Sequence, residues 1–211
     1  MKRLVFLLGF GLILGVNLYA DLVADGYAEY KKNNYAEAIT LWGKSCDSGN
    51  IDGCYNLAFM YENGKGMMHN EVKASELYTT ACDAGDARAC SNLGVIYENG
   101  KGSVKQDFIK SSQLYAKSCN AGNINGCYNL GVSYHRGRGA VKDYQMASVL
   151  YDYTCKKGQV EGCYYLAEMY RNGKGIGENK SEAKRLYGKV CNMGSSSGCS
   201  KFRRLSDEGV Q

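Results

Sequence analysis

The chain has no proline. Nothing in it therefore stops or kinks a helix in the way a residue without a backbone N–H does. Histidine is scarce, with only His69 and His135. Two histidines so far apart do not supply the three protein ligands and open position of a catalytic zinc site. No metal and no other cofactor is expected. No segment recurs with the apolar–polar alternation a sheet repeat needs, so the period of 2 is missing. Strong charge of one sign is also absent: the net charge is +5 over 211 residues. That mildly basic balance is not a nucleic-acid footprint, and no nucleic acid is expected as a partner.

What the chain does hold is a repeat. Its ten cysteines form five pairs of one spacing: Cys46 with Cys54, Cys82 with Cys90, Cys119 with Cys127, Cys155 with Cys163, and Cys191 with Cys199. The first members advance by 36, 37, 36 and 36 residues. A fixed period of that size marks a repeat array. Other positions keep the same step. Leu57, Leu93, Leu130 and Leu166 follow the second cysteine, each beside a small residue: Ala58, Gly94, Gly131 or Ala167. Tyr61, Tyr97, Tyr134 and Tyr170 come next, then the glycine pairs that begin at Gly64, Gly100, Gly137 and Gly173. Ahead of each first cysteine stands an aromatic: Trp42, Tyr78, Tyr115, Tyr151 or Tyr187.

These spacings predict two helices per repeat. Leu93 and Tyr97 lie at i and i+4, on one helical face. Asn99-Gly100 ends that first helix, because both residues tolerate the left-handed backbone of a C-cap. A second helix is expected from about Asp107 to Cys119, with Leu114, Tyr115 and Cys119 facing the core. The fold class predicted is all-α, a solenoid of paired helices.

Met1–Ala20 pairs a basic start, Lys2 and Arg3, with an apolar run from Leu4 to Val16 and a small-residue exit. It reads as a secretory signal peptide, too short to span a membrane comfortably. No cysteine follows the run to take a lipid anchor. Loss of Lys2 and Arg3 leaves 24 basic against 21 acidic residues, a charge of +3. The expected location is secreted or periplasmic, with no membrane attachment after cleavage and a monomeric state. In that setting regular cysteine pairs read as disulfides, each stapling a second helix to the next first helix across a short turn. C-x7-C is not a zinc spacing. The expected division is a signal peptide at 1–20, a tetratricopeptide-like capping hairpin at 21–49, four repeats at 50–193 and a capping helix at 194–211.

The motif Ala/Gly-x-x-Tyr, then Gly-x-Gly, then Lys-Ala/Glu-Ala and Leu-Tyr, resembles Sel1-like repeats. With C-x7-C in every unit and a leader, the chain resembles the cysteine-rich Hcp proteins of helicobacters. That resemblance implies a right-handed αα superhelix with one disulfide per hairpin. It also implies penicillin binding and slow β-lactam hydrolysis, for which the family is filed as β-lactamases.

The residues themselves give catalysis little support. Ser181-Glu182-Ala183-Lys184 fits the S-x-x-K of serine β-lactamases, but K-T-G and S-D-N are absent. With 16 serines and 18 lysines, about one such match arises by chance. Catalytic residues stay unknown. Binding has a better pattern. Two positions after the second cysteine stand Asn56, Asn92, Asn129 and, in the fourth repeat, Tyr165. On first helices lining a concave face, such a ladder would hydrogen-bond an extended peptide, a protein or a cell-wall fragment. Local capping or packing is the competing role for those asparagines. Tyr55, Tyr128 and Tyr164 stand beside the ladder, and Lys65, Lys101, Arg138 and Lys174 recur in the turns. The β-lactam and the peptidoglycan fragment are the other ligands the resemblance suggests.

Overall fold

The computed structural model describes residues 21–100 and 102–211. The expected leader at 1–20 and Lys101 lie outside them. The described residues form helices and no strand. Helix α1 covers residues 21–31, followed by α2 (Tyr35–Asp47), α3 (Ile51–Asn63), α4 (Glu71–Asp83) and α5 (Ala87–Asn99). Then come α6 (Phe108–Asn120), α7 (Ile124–Arg136), α8 (Tyr144–Lys156), α9 (Val160–Asn172), α10 (Lys180–Asn192) and α11 (Ser196–Asp207). They fall into two units, an N-terminal one ending at residue 106 and a C-terminal one at 107–211. From α2 to α5, and again from α6 to α11, each helix packs against its neighbours in sequence.

Local chemistry sets the helix ends. Asn50, Asp86 and Asn123 cap α3, α5 and α7, each side chain accepting from a backbone N–H two or three residues on. Those bonds occupy donors that the first turn would otherwise leave open. Asn70, Asp107, Asp143 and Asn179 do the same for α4, α6, α8 and α10. The first helices stop as the Asn-Gly pattern predicts: Gly100 sits at φ +60° and its N–H returns to the Ile96 carbonyl. The next glycine of each turn has a different duty. At Gly139, with φ +72°, an added Cβ would overlap the Phe108 carbonyl at the start of α6. That turn is thereby pressed against the helix preceding its own hairpin.

All ten cysteines are paired, leaving none free among the described residues. Cys46 bonds Cys54, Cys82 bonds Cys90, Cys119 bonds Cys127, Cys155 bonds Cys163, and Cys191 bonds Cys199. The Cα–Cα separations are 4.4 to 4.7 Å. Such close approach needs small residues beside the bridge, and Gly53, Gly126, Gly162 and Gly198 provide them. The bridge sulfurs differ in depth. Cys54, Cys90, Cys127 and Cys163 sit on first helices and are buried. Cys199 lies on α11, which packs against α10, and is half-buried.

The core aromatics Trp42, Tyr78, Tyr115, Tyr151 and Tyr187 are at most 2% exposed. On the first helices the buried face differs from the expected stripe. Leu93 and Leu166 are buried, but Leu57 and Leu130 are half-buried, as are Tyr61, Tyr97, Tyr134 and Tyr170. The interior is instead reached by Met60, Ile96, Ser133 and Met169. Helices such as α3 and α7 are flanked by a second helix on each side. Two sides are therefore covered, and the tyrosines fall at the edge of that wide face. Leu114 is likewise half-buried beside the buried Tyr115, and Cys119 is half-buried too.

Candidate functional site

The ladder positions occupy the N-terminal halves of the first helices, but their surroundings differ. Asn56 on α3 is 4% exposed. Its Oδ1 accepts from the Tyr27 hydroxyl at 2.9 Å, and its Nδ2 has no partner. Asn92 on α5 is half-buried and donates to the Tyr78 hydroxyl at 3.1 Å. Tyr78 in turn donates to Glu62 Oε2 at 2.7 Å. Burial, and then the Glu62 charge, push the Tyr78 phenol well above its ordinary pKa. Three helices, α3, α4 and α5, are thus tied by one polar relay. Beside it the Arg88 guanidinium lies 4.3 Å from the Tyr55 ring centroid and pairs with Asp86 and Asp52.

In the C-terminal unit, Asn129 on α7 and Tyr165 on α9 are both half-buried. Tyr165 stacks on Tyr151, centroids 5.4 Å apart and planes at 22°. Tyr128 and Tyr164 approach the same ring at 6.1 and 5.9 Å. The aromatic that replaces the fourth asparagine therefore closes a group of rings.

Against this group lies a cavity of about 190 Å³, lined by His135, Tyr165, Glu168, Met169, Asn172 and Lys174. The His135 ring meets Tyr144 edge-on at 5.2 Å and lies 6.2 Å from Tyr165. Its Nδ1 is sealed from solvent and has no partner. Burial, aided by Lys174, Arg136 and Lys142, lowers its pKa and favours the neutral ring. Glu168 accepts from the Tyr187 hydroxyl at 2.5 Å and the Lys201 ammonium at 2.9 Å, with Arg171 at 3.8 Å. Burial would raise the Glu168 pKa, but those donors and charges outweigh it and the pKa is lowered.

Neither His135 nor Glu168 was picked out as a site residue by sequence. A signal was available: eight residues after the second cysteine stand Glu62, Glu98, His135 and Arg171. That column turns from acidic to basic along the chain.

The turn cations are held against rings. Lys65 bonds the Tyr30 hydroxyl and lies 4.9 Å from that ring. Arg138 lies 5.5 Å from Phe108, and Lys174 5.8 Å from Tyr144. Ser181 is exposed in the first turn of α10. Lys184 donates to the Val210 carbonyl at 2.5 Å and lies over Phe202. The lysine of S-x-x-K is thus committed to the C-terminal segment.

A helical hairpin of about 36 residues with glycine-closed turns, repeated along the chain, is the geometry of one repeat type. The model of the Sel1 repeat matches residues 17–50, 51–86, 87–123, 124–158 and 160–195. The chain belongs to the Sel1 repeat family. Each disulfide of this Sel1 repeat protein joins the second helix of one matched repeat to the first helix that follows. The fold is shared with solved structures. A protective antigen of uropathogenic Escherichia coli with an SLR fold is 26% identical with TM-score 0.86, over 91% of this chain and 42% of that one. A Sel1 repeat protein of Oxalobacter formigenes is 25% identical with TM-score 0.79, over 87% of this chain and 74% of that one. HcpE of Helicobacter pylori, whose name proposes a β-lactamase, is 42% identical over 41 residues. That match spans 19% of this chain and 12% of HcpE. Among the described residues no helix is long and apolar enough to cross a membrane.

Proposed function

We propose that this Sel1 repeat protein is an exported interaction scaffold whose first helices bind an extended peptide or protein segment. The observation carrying the reading is the half-buried aromatic and amide surface of α7 and α9. Asn129, Tyr128, Tyr164 and Tyr165 there combine a hydrogen-bonding side chain with broad rings, the mixture that peptide-binding surfaces use. Asn92, in the N-terminal unit, is half-buried with its amide already oriented by Tyr78. Asn56 has a different part in this reading, as an anchor for Tyr27. Five disulfides support an extracytoplasmic location, secreted or periplasmic, because such bridges persist where thiols are not kept reduced.

The scaffold role is tested by panning the oxidised chain against a peptide library and measuring binding of the selected sequences. Selected peptides that bind wild type but lose affinity to Tyr165→Ala support it. Failure to enrich any sequence, or enrichment indifferent to that change, sinks it. A β-lactam reading is favoured by the partial likeness to HcpE. Nitrocefin turnover that co-purifies with the folded chain and is lost on unfolding would bring that reading forward.

A further inference from the structure

The five bridges differ in what can reach them. Cys54, Cys90, Cys127 and Cys163 are at most 3% exposed, so four bridges have at least one half sealed. In the fifth, Cys191 and Cys199 are both half-buried. A pocket of about 570 Å³ lies beside that bridge, and Arg185, Gly188, Lys189, Cys191, Met193 and Phe202 help to line it.

Spacing explains the floor of the pocket. Gly188 and Cys191 are three apart on α10, and Cys199 and Phe202 are three apart on α11. Residues so spaced are neighbours on a helix surface. The Phe202 ring meets the bare backbone of Gly188, where an added Cβ would lie 3.2 Å from two ring carbons. That contact and the Cys191–Cys199 bond are therefore adjacent rungs between the two helices.

The rim carries charge. Arg185 is matched by Glu182, bonded at 2.6 and 2.8 Å. Lys189 bonds a neutral group instead: its ammonium donates to the Cys155 carbonyl at 3.0 Å and lies 3.6 Å from Cys155 Sγ. Its charge is left to act on an incoming anion. The nucleophile of disulfide exchange is a thiolate, and both access and nearby cations govern its attack. The Cys155–Cys163 bridge has the cation but, at 3% and 0% exposure, is sealed. Cys191–Cys199 has the cation on its pocket rim and the opening as well.

We propose that Cys191–Cys199 is a thiol–disulfide exchange site that takes an acidic low-molecular-mass thiol of the glutathione type. The incoming thiolate attacks Cys191 Sγ and forms a new S–S bond there. The Cys191–Cys199 bond breaks, and its electron pair leaves on Cys199 Sγ, which takes up the proton the thiol lost. A second thiolate attacks the incoming sulfur of the mixed disulfide, releasing the small disulfide and leaving Cys191 as a thiol. Two small thiols are oxidised and one bridge is reduced. The exchange unfastens α10 from α11 while the sealed bridges stay closed.

The test adds reduced glutathione to the oxidised chain at neutral pH, quenches samples with N-ethylmaleimide and maps them without reduction. The first product expected carries glutathione on Cys191 and maleimide on Cys199, with the other bridges intact and the helical signal kept. Cys191→Ser combined with Cys199→Ser should form no early adduct. Neutral 2-mercaptoethanol serves as the comparison thiol. Lys189→Gln should slow glutathione relative to it by about threefold, the effect of one nearby charge in a solvated setting. Opening of Cys155–Cys163 first would show that cation contact outweighs access, and overturns the proposal. So does a first adduct on any cysteine other than Cys191, or joint opening of all five bridges with loss of the helical signal. A glutathione preference unchanged in Lys189→Gln overturns the assignment to an acidic thiol.

Discussion

Gly126 on α7 lies so close to Ser118 on α6 that a methyl group on it would overlap both the Ser118 hydroxyl and its Cβ. The same relation recurs between Gly53 and Ser45, Gly162 and Thr154, and Gly198 and Val190. One repeat departs from it, with Ala89 on α5 and Ala81 on α4 in those positions. There the bridged Cys82 and Cys90 stand 4.7 Å apart at Cα, against 4.4 Å in the four glycine repeats. The pair sets how near two helices come. Gly126→Ala should therefore destabilise the chain by about 1–3 kcal/mol, the usual cost of overpacking. Adding Ser118→Ala, which recreates the pairing of Ala89 with Ala81, should restore part of the loss. Denaturant midpoints of the two variants check this, and equal midpoints would mean the contact is slack.

The bridges should contribute separately. Each closes a loop of about eight residues, worth about 2.5 kcal/mol in the chain-entropy account. Replacing Cys119 and Cys127 together by serine should lower stability by about that amount while leaving the helical signal in place. Peptide mapping without reduction should find only cysteines eight apart, as in Cys155 with Cys163. Any bridge between different pairs contradicts the structure.

Much of this architecture was legible because repetition makes weak local signals add. The Gly100 C-cap, the two-helix unit and the cysteine partners each recur, so one register satisfies all copies. Side-chain depth was less legible. Leu57 and Leu130 occupy the same column as Leu93 and Leu166 yet are only half-buried. Depth depends on which residues the flanking helices place opposite, and these differ between copies. The ladder shows the same limit. Asn56, Asn92 and Asn129 are identical letters, but Tyr27 captures the first and Tyr78 the second. The His135 cavity was hidden for a further reason. It arises where the column departs from its repeat, and attention to what is shared passes over departures.

Glu168 offers a pH test. Its folded pKa is lowered from the ordinary 4.5. A carboxylate shifted in that direction stabilises the fold fully above its unfolded pKa, and the contribution is lost as pH falls through the folded pKa. Glu168→Gln should thus lower the thermal midpoint at pH 7. Below the unfolded value near 4.5 the gap between variant and wild type should narrow as acid is added. A gap that is constant from pH 7 to pH 3 would show that the carboxylate's charge contributes nothing.

The binding surface is best tested by separating amides that touch solvent from the one that does not. Asn129 and Tyr165 are half-buried, whereas Asn56 is 4% exposed. A neutral hydrogen bond lost to a ligand costs about 0.5–1.5 kcal/mol, so Asn129→Ala should weaken a selected peptide about twofold to twelvefold. Tyr165→Ala removes a stacking wall and should weaken it at least as much. Both proteins should keep their helical signal. Asn56→Ala should act in the opposite sense: it strips Tyr27 of its acceptor and lowers stability, yet should leave affinity unchanged at temperatures where the chain is folded. Ser181→Ala should alter neither binding nor any nitrocefin turnover, since Lys184 is engaged with Val210. Loss of turnover on Ser181→Ala alone would establish a serine hydrolase and displace the scaffold reading. Loss of folding rather than affinity on Asn129→Ala would make that asparagine part of the packing, as Asn56 is.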